Sequence, residues 1–389
     1  MLISSKIILL EGMNGQIKVI TIMVIFILCL LIKKPFAPTK NKSFLPVEFS
    51  ISESLSLDND PFVENRKIHP HKSINKSKTI SLPSLQHEPL IKKAVALEES
   101  GVYRFATSRN VSVQPVSHGI WSSKDNISTW KFNLKSSGAR SINLTFSEFN
   151  LPEGAVLSIA NDEDNSRPIL FTARDNDAHG QLWTPLFKTD RLKLKLTVPT
   201  HLIAKTVLHL TKINHGFRDA GSGFKISSNT SGSCQIDVIC SAKDNSDYGP
   251  IIDIYRDQIK SVGAFTLNGI DTCSGALINN TNNDLRPFFL TAEHCGISPS
   301  NAASMVVYWN HENSICREVG ASSNGRVGDG PTTQFNTGAI LRAEHAPTDF
   351  ALVELDDPVS TDYSPFFAGW NRSPINPQLT VMIIRSFDS

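Results

Sequence analysis

The sequence predicts an all-β protein: an antiparallel β-sandwich followed by a second β-rich block. Three observations carry this. Short runs alternating apolar and polar residues recur from about Gly101 to Thr211, and β-rich runs return from about Cys234 onward. Clusters of Gly, Pro, Asn and Asp separate the runs, as turns require. Between the two blocks lies a Gly/Ser-rich stretch, 221–233, whose composition suits an exposed, cuttable joint.

The first block contains Trp130-Lys-Phe-Asn-Leu, Ser141-Ile-Asn-Leu-Thr-Phe, Val156-Leu-Ser-Ile, Leu192 to Val198 and Val207-Leu-His-Leu. A period of two puts alternate side chains on opposite sheet faces, one dry and one wet. In Leu192 to Val198, Leu192, Leu194, Leu196 and Val198 should point inward and Lys193, Lys195 and Thr197 outward. Nothing in this block reads as catalytic. His118, His179 and His209 stand isolated in sequence and are expected to be structural or solvent-facing. Trp121, Trp130 and Trp183 are candidate platforms for a carbohydrate, but core packing is the simpler use of them. The second block contains Ser261-Val-Gly-Ala-Phe-Thr-Leu, Cys273-Ser-Gly-Ala-Leu-Ile, Phe288-Phe-Leu-Thr-Ala, Met305-Val-Val-Tyr-Trp and Phe350-Ala-Leu-Val-Glu-Leu.

Upstream of both blocks, Val19 to Ile32 is almost wholly apolar and follows Lys18. It suits a secretory leader and falls short of the roughly 20 residues of a comfortable membrane span. Lys33 and Lys34 follow it without a clean small-residue cleavage site, so an uncleaved anchor over 19–32 is the alternative. Either sends the rest of the chain out of the cytoplasm. The expected organisation is 1–37 leader or anchor, 38–95 polar linker, 96–220 sandwich, 221–233 joint and 234–389 second β domain. Lys and Arg total 38 against 37 Asp and Glu, which gives no support for a nucleic-acid partner. No cofactor or metal is called for. A zinc site from His294, Cys295, His311 and Cys316 fits no standard ligand spacing.

The chemistry concentrates in Pro287-Phe-Phe-Leu-Thr-Ala-Glu-His-Cys, where an apolar strand runs into a small-residue turn and presents His294 beside Cys295. A second candidate is Thr348-Asp349 at the head of Phe350-Ala-Leu-Val-Glu-Leu. A carboxylate there is costly to bury unless paired. Accepting from an imidazole Nδ1–H would satisfy it and fix the tautomer of a general base.

These motifs carry a resemblance. Cys273-Ser-Gly-Ala-Leu-Ile-Asn-Asn-Thr with the His294 string resembles a segment of trypsin-fold serine proteases, most of all the bacterial lysyl endopeptidases. Gly232 to Cys240, Val307 to Cys316 and Thr348 to Leu355 resemble three further motifs of that family in the same order. The sandwich resembles its pro-region more weakly, through Phe149 to Leu157 and Trp183-Thr-Pro. The resemblance implies a pro-region followed by a trypsin-like double β-barrel, a secreted monomeric endopeptidase acting on proteins or peptides, and catalytic roles for His294 and Asp349. It also implies disulfides Cys273–Cys295 and Cys240–Cys316, with Cys234 left unpaired. The family's Gly-rich serine loop, roughly 90 positions beyond the Asp in the chymotrypsin order, is not recognisable before Ser389. The barrel is therefore expected to be incomplete and the chain inactive as it stands. The rival reading is a non-catalytic protease-fold or sandwich protein used for binding or adhesion at the cell surface.

Overall fold

The computed structural model describes residues 6–9, 78–98, 101–162, 167–220, 236–321, 328–371 and 381–383. The apolar run at 19–32, the joint at 221–233 and Cys234 lie outside the described residues. Among the described residues, no helix is long and apolar enough to cross a membrane.

The alternating runs form two sheets packed face to face. One has the order Leu182–Trp183, Ile142–Asn150, Val207–Gly216, Ala106–Val113. The other has the order Thr79–Leu82, Ile127–Ser136, Arg191–Pro199, Val156–Asn161, Ile169–Phe171, with Ile120–Lys124 also paired to Ile127–Ser136. Leu192, Leu194, Leu196 and Val198 are buried, while Lys193 and Lys195 are exposed. The buried set joins Leu144, Phe146, Phe149, Trp130 and Phe132 in one core. Each such side chain contributes roughly 1.5–3 kcal/mol by leaving water. Trp130 stacks on Phe132 with ring centroids 5.6 Å apart. Trp183 is buried as well, and the Trp121 Nε1–H donates to Pro115 O at 2.9 Å. These rings pack; they do not form an open platform.

Two elements were not legible in the polar approach to the sandwich. Thr79–Leu82 pairs parallel to Ile127–Ser136, and His87–Glu98 is an α-helix. The helix has a weak apolar stripe, and its burial of Ala94 and Glu98 against the rest of the protein holds it in place.

The second block is one antiparallel sheet curled on itself. Its order is Phe335–Thr337, Val306–Tyr308, Val262–Leu267, Asp271–Ile278, Phe288–Thr291, Phe350–Leu355, Ala339–His345. The first and last strands of that list are joined by the single residue Gly338, so the two ends of the sheet must approach each other. This is a half-barrel. Gly338 turns the corner at φ 77°, a conformation that costs a side-chain-bearing residue about 1–2 kcal/mol. Phe265, Phe289 and Trp309 fill the interior edge-to-face at 6.0 and 5.9 Å.

Sandwich and half-barrel share a third apolar layer. Tyr103, Phe105, Trp183 and Leu186 pack with Ala264, Val306 and Tyr308. Tyr103–Arg104 also adds a short strand to Asp271–Ile278, and Arg104 grips Asp271 with two hydrogen bonds of 2.8 and 2.9 Å. The buried Tyr308 hydroxyl accepts from the Leu186 N–H at 3.0 Å. Asn143 Nδ2 donates to Gly269 O at 2.9 Å.

Candidate active site

His294 and Asp349 meet because neighbouring strands end side by side. Phe288–Thr291 pairs with Phe350–Leu355, with Thr291 opposite Ala351. His294 lies in the short 3₁₀ turn Glu293–Cys295 just after the first strand. Asp349 lies just before the second. The pair is 55 positions apart in sequence, and His294 Nδ1 sits 2.7 Å from Asp349 Oδ2. The other carboxylate oxygen, Oδ1, accepts the backbone N–H of His294 at 2.9 Å. Two hydrogen bonds from one residue fix both the ring and the carboxylate.

Local backbone supports this. Gly296 ends the His294 turn at φ 77°, and Asp349 itself adopts φ 50°. A non-glycine residue held there stores a modest strain, of a kind that concentrates at functional sites. Partial burial opposes ionisation of Asp349, yet the hydrogen bonds from the His294 backbone and ring outweigh it and hold the carboxyl below its ordinary value. A carboxylate on Nδ1–H leaves Nε2 as the basic nitrogen of a neutral imidazole.

Cys273 and Cys295 form a disulfide, which ties the His294 turn to the adjoining strand Asp271–Ile278. Thr291 Oγ1 donates to Ser274 O at 2.7 Å across the same two strands. Cys240 and Cys316 form a second disulfide. The zinc reading needs free thiolates, and both Cys295 and Cys316 are committed to bridges.

Sequence reasoning missed what covers the pair. Gly101 lies against the free edge of the His294 ring. A Cβ at position 101 would come within 2.7 Å of Cδ2 and 3.1 Å of Nε2. Gly101 has φ 83°, and its N–H bonds to Glu98 O at 3.0 Å, closing the end of the helix His87–Glu98. The signal was present: a glycine just beyond a helix is the usual left-handed stop. Nothing local indicated that this stop would lie on His294. The segment is anchored by Glu98, whose carboxylate pairs with Arg218 at 2.7 Å with both side chains buried. The Arg218 guanidinium also lies 3.9 Å from the Tyr103 ring centroid.

Of the three isolated histidines, His209 and His118 bond to Ser112 and Ser117 at exposed positions. His179 is not isolated: it faces Asp356, 177 positions away. His87 and His215, which drew no attention in sequence, meet with Nε2 atoms 3.1 Å apart.

Comparison with known proteins adds two findings. A family model described as the lysyl endopeptidase C-terminal domain matches residues 228–385, which carries the match beyond the last of the motifs, Thr348 to Leu355. The lysyl endopeptidase of Pseudomonas aeruginosa is 25% identical over 261 residues, covering 64% of this chain and 53% of that protein. The chain thus spans about half the length of that relative, and its half-barrel, with the His294–Asp349 pair, falls within the region similar to the lysyl endopeptidase C-terminal domain.

Proposed function

We propose that the chain is the precursor of an exported serine-type endopeptidase of the lysyl endopeptidase kind, with a trypsin-like catalytic block. His294 is its general base and Asp349 the acid that orients it. The observation that carries this is the double hydrogen bond from His294 to one carboxylate, at adjoining strand ends that a disulfide secures. In acyl transfer, Nε2 takes the proton of an attacking hydroxyl and later returns it to the leaving amine. Asp349 stabilises the imidazolium formed between those steps. Two disulfides support an oxidising compartment. The sandwich acts as the pro-region, and its approach segment covers Nε2 through Gly101. Proteins or peptides are the substrates.

No Gly-rich serine loop is recognisable after Asp349, so the 389 residues by themselves are expected to lack a nucleophile and an oxyanion hole. The test has two arms. The purified chain, cut at 221–233, is offered Lys, Arg and Phe esters; no turnover dependent on His294 is expected. A chimera then joins the Pseudomonas relative's downstream segment after Leu355. It should turn over a Lys ester, losing on the order of 10⁶ with His294→Ala and about 10⁴ with Asp349→Asn. Chimera turnover that survives His294→Ala would end the endopeptidase reading. Turnover by the chain alone that His294→Ala abolishes would show that its nucleophile lies among these residues.

A further inference from the structure

A second cluster of titratable groups lies where the sandwich meets the half-barrel, at the corner made by Gly338. Asp177 and His179 come from the sandwich loop before Leu182–Trp183. Asp356 and Asp357 follow the strand Phe350–Leu355. His179 Nε2 is 3.1 Å from Asp356 Oδ2 and 3.7 Å from Asp177 Oδ2. The side chains of Asp177 and Asp356 are only 12% and 9% exposed. The Asp356 N–H bonds to Gly338 O at 3.3 Å, and a Cβ at position 338 would strike Asp356 Oδ2 and come within 3.1 Å of His179 Nε2. The corner glycine therefore leaves room for the cluster.

The tautomer of His179 is set by its other nitrogen. Nδ1 accepts the Gln181 N–H at 3.0 Å, so the neutral ring carries its proton on Nε2 and donates to Asp356. Its bond to Asp356 favours a charged ring. A second proton on Nδ1, however, would oppose the Gln181 N–H. The proton that the cluster attracts is thereby steered to Asp177. The groups facing Asp177 are Asp175 and His179 from its own segment and Asp356 and Asp357 from the half-barrel; Arg174 lies beside Asp175. One imidazole cannot balance four carboxylates. Burial first, then Asp356 and Asp357, push Asp177 up to about 7 from its ordinary 3.8.

We propose that Asp177, His179 and Asp356 form a proton-operated latch: a proton held on Asp177 keeps the sandwich on the half-barrel, and its loss loosens that contact. The sign follows from linkage. Docked, Asp177 binds its proton more tightly than when solvated, so the hold is complete in acid below the solvated value. It weakens by up to about tenfold per pH unit between roughly 4 and 7, then levels off. The inference stands on the interface and does not depend on the peptidase reading.

The test is peptide-resolved hydrogen exchange on the full chain from pH 5 to 8, corrected for intrinsic exchange. Peptides covering Phe335–Thr337 and Leu182–Trp183, which pack in the layer between the two regions, report the interface, and Arg191–Pro199 is the internal reference. Interface protection should fall at least tenfold between pH 5 and 7 while the reference does not follow. Asp177→Asn should keep the interface protected at pH 8 and flatten the profile. A flat wild-type profile, or an Asp177→Asn profile with the wild-type slope, would overturn the latch. If Asp177→Asn loses reference protection and so has not folded, infrared spectroscopy of the wild type decides. A protonated carboxyl band persisting to pH 6 supports the latch, and its disappearance by pH 5 overturns it.

Discussion

The sandwich and the half-barrel are built from the same kind of strand but are held together differently. The sandwich relies on burial: Leu192 to Val198 and their partners form a continuous apolar core, and no disulfide crosses it among the described residues. The half-barrel adds two disulfides and places Asp349 and Gly296 in left-handed backbone beside the site. The contrast teaches where chemistry can be afforded. Residues that must project polar groups at strand ends cannot also fill a core, so covalent ties supply the rigidity that packing does not.

Breaking the core on each side tests this most strongly. Phe289→Ala in the half-barrel and Phe132→Ala in the sandwich should each cost about 3–5 kcal/mol. The apolar layer shared through Tyr103, Leu186 and Tyr308 should make both shift one common calorimetric transition. Two resolved transitions, each moved by one variant alone, would show that the regions melt separately.

Removing the Cys273–Cys295 bridge by a double serine substitution should cost about 3 kcal/mol for its separation of 22 residues. Denaturant titration measures the loss. Hydrogen exchange should place the largest loss around Glu293–Cys295.

Acidification separates the two regions by sign. Burial first, then His87 and Arg109, hold His215 down at about 4. A group so depressed is harmless above its ordinary 6.5 and destabilises as pH falls from there toward 4. The sandwich should lose roughly 2–3 kcal/mol over that window, while the contact through Asp177 tightens. Denaturant midpoints of the wild type and of His215→Asn, from pH 7.5 to 4.5, check this; the variant should show the shallower slope.

The smallest effect belongs to the surface. Arg342 and Arg286 both pair with Glu354, at 2.7 and 2.6 Å, but both arginines are well exposed. Arg342→Ala should move stability by less than about 1 kcal/mol, and still less in high salt. A larger thermal shift would mean that the half-barrel leans on its surface ion pairs.

Much of this was legible in the sequence for local reasons. Alternation at Leu192–Val198 specified a strand and its buried face without reference to any partner. The His294 and Asp349 strings each announced a polar group at the end of an apolar strand. By contrast, the helix His87–Glu98 has too weak a stripe to be read from its own residues. Tyr103–Arg104 is too short to show a period, and its partner Asp271 is 167 positions from Arg104. His179 looked isolated because its partner lies in the other half of the chain.

The amino-acid sequence by itself determined the strand periods and the residue types able to do acid–base chemistry. Each of these depends on neighbours within a few positions. The tertiary structure alone decided that Gly101 covers Nε2 of His294, that His87 meets His215, and that Asp177 and Asp356 are brought around one imidazole. Burial and proximity set the protonation of His215 and Asp177, and both arise only when distant strands pack: the same aspartate is an ordinary surface acid in one setting and a proton carrier in the other.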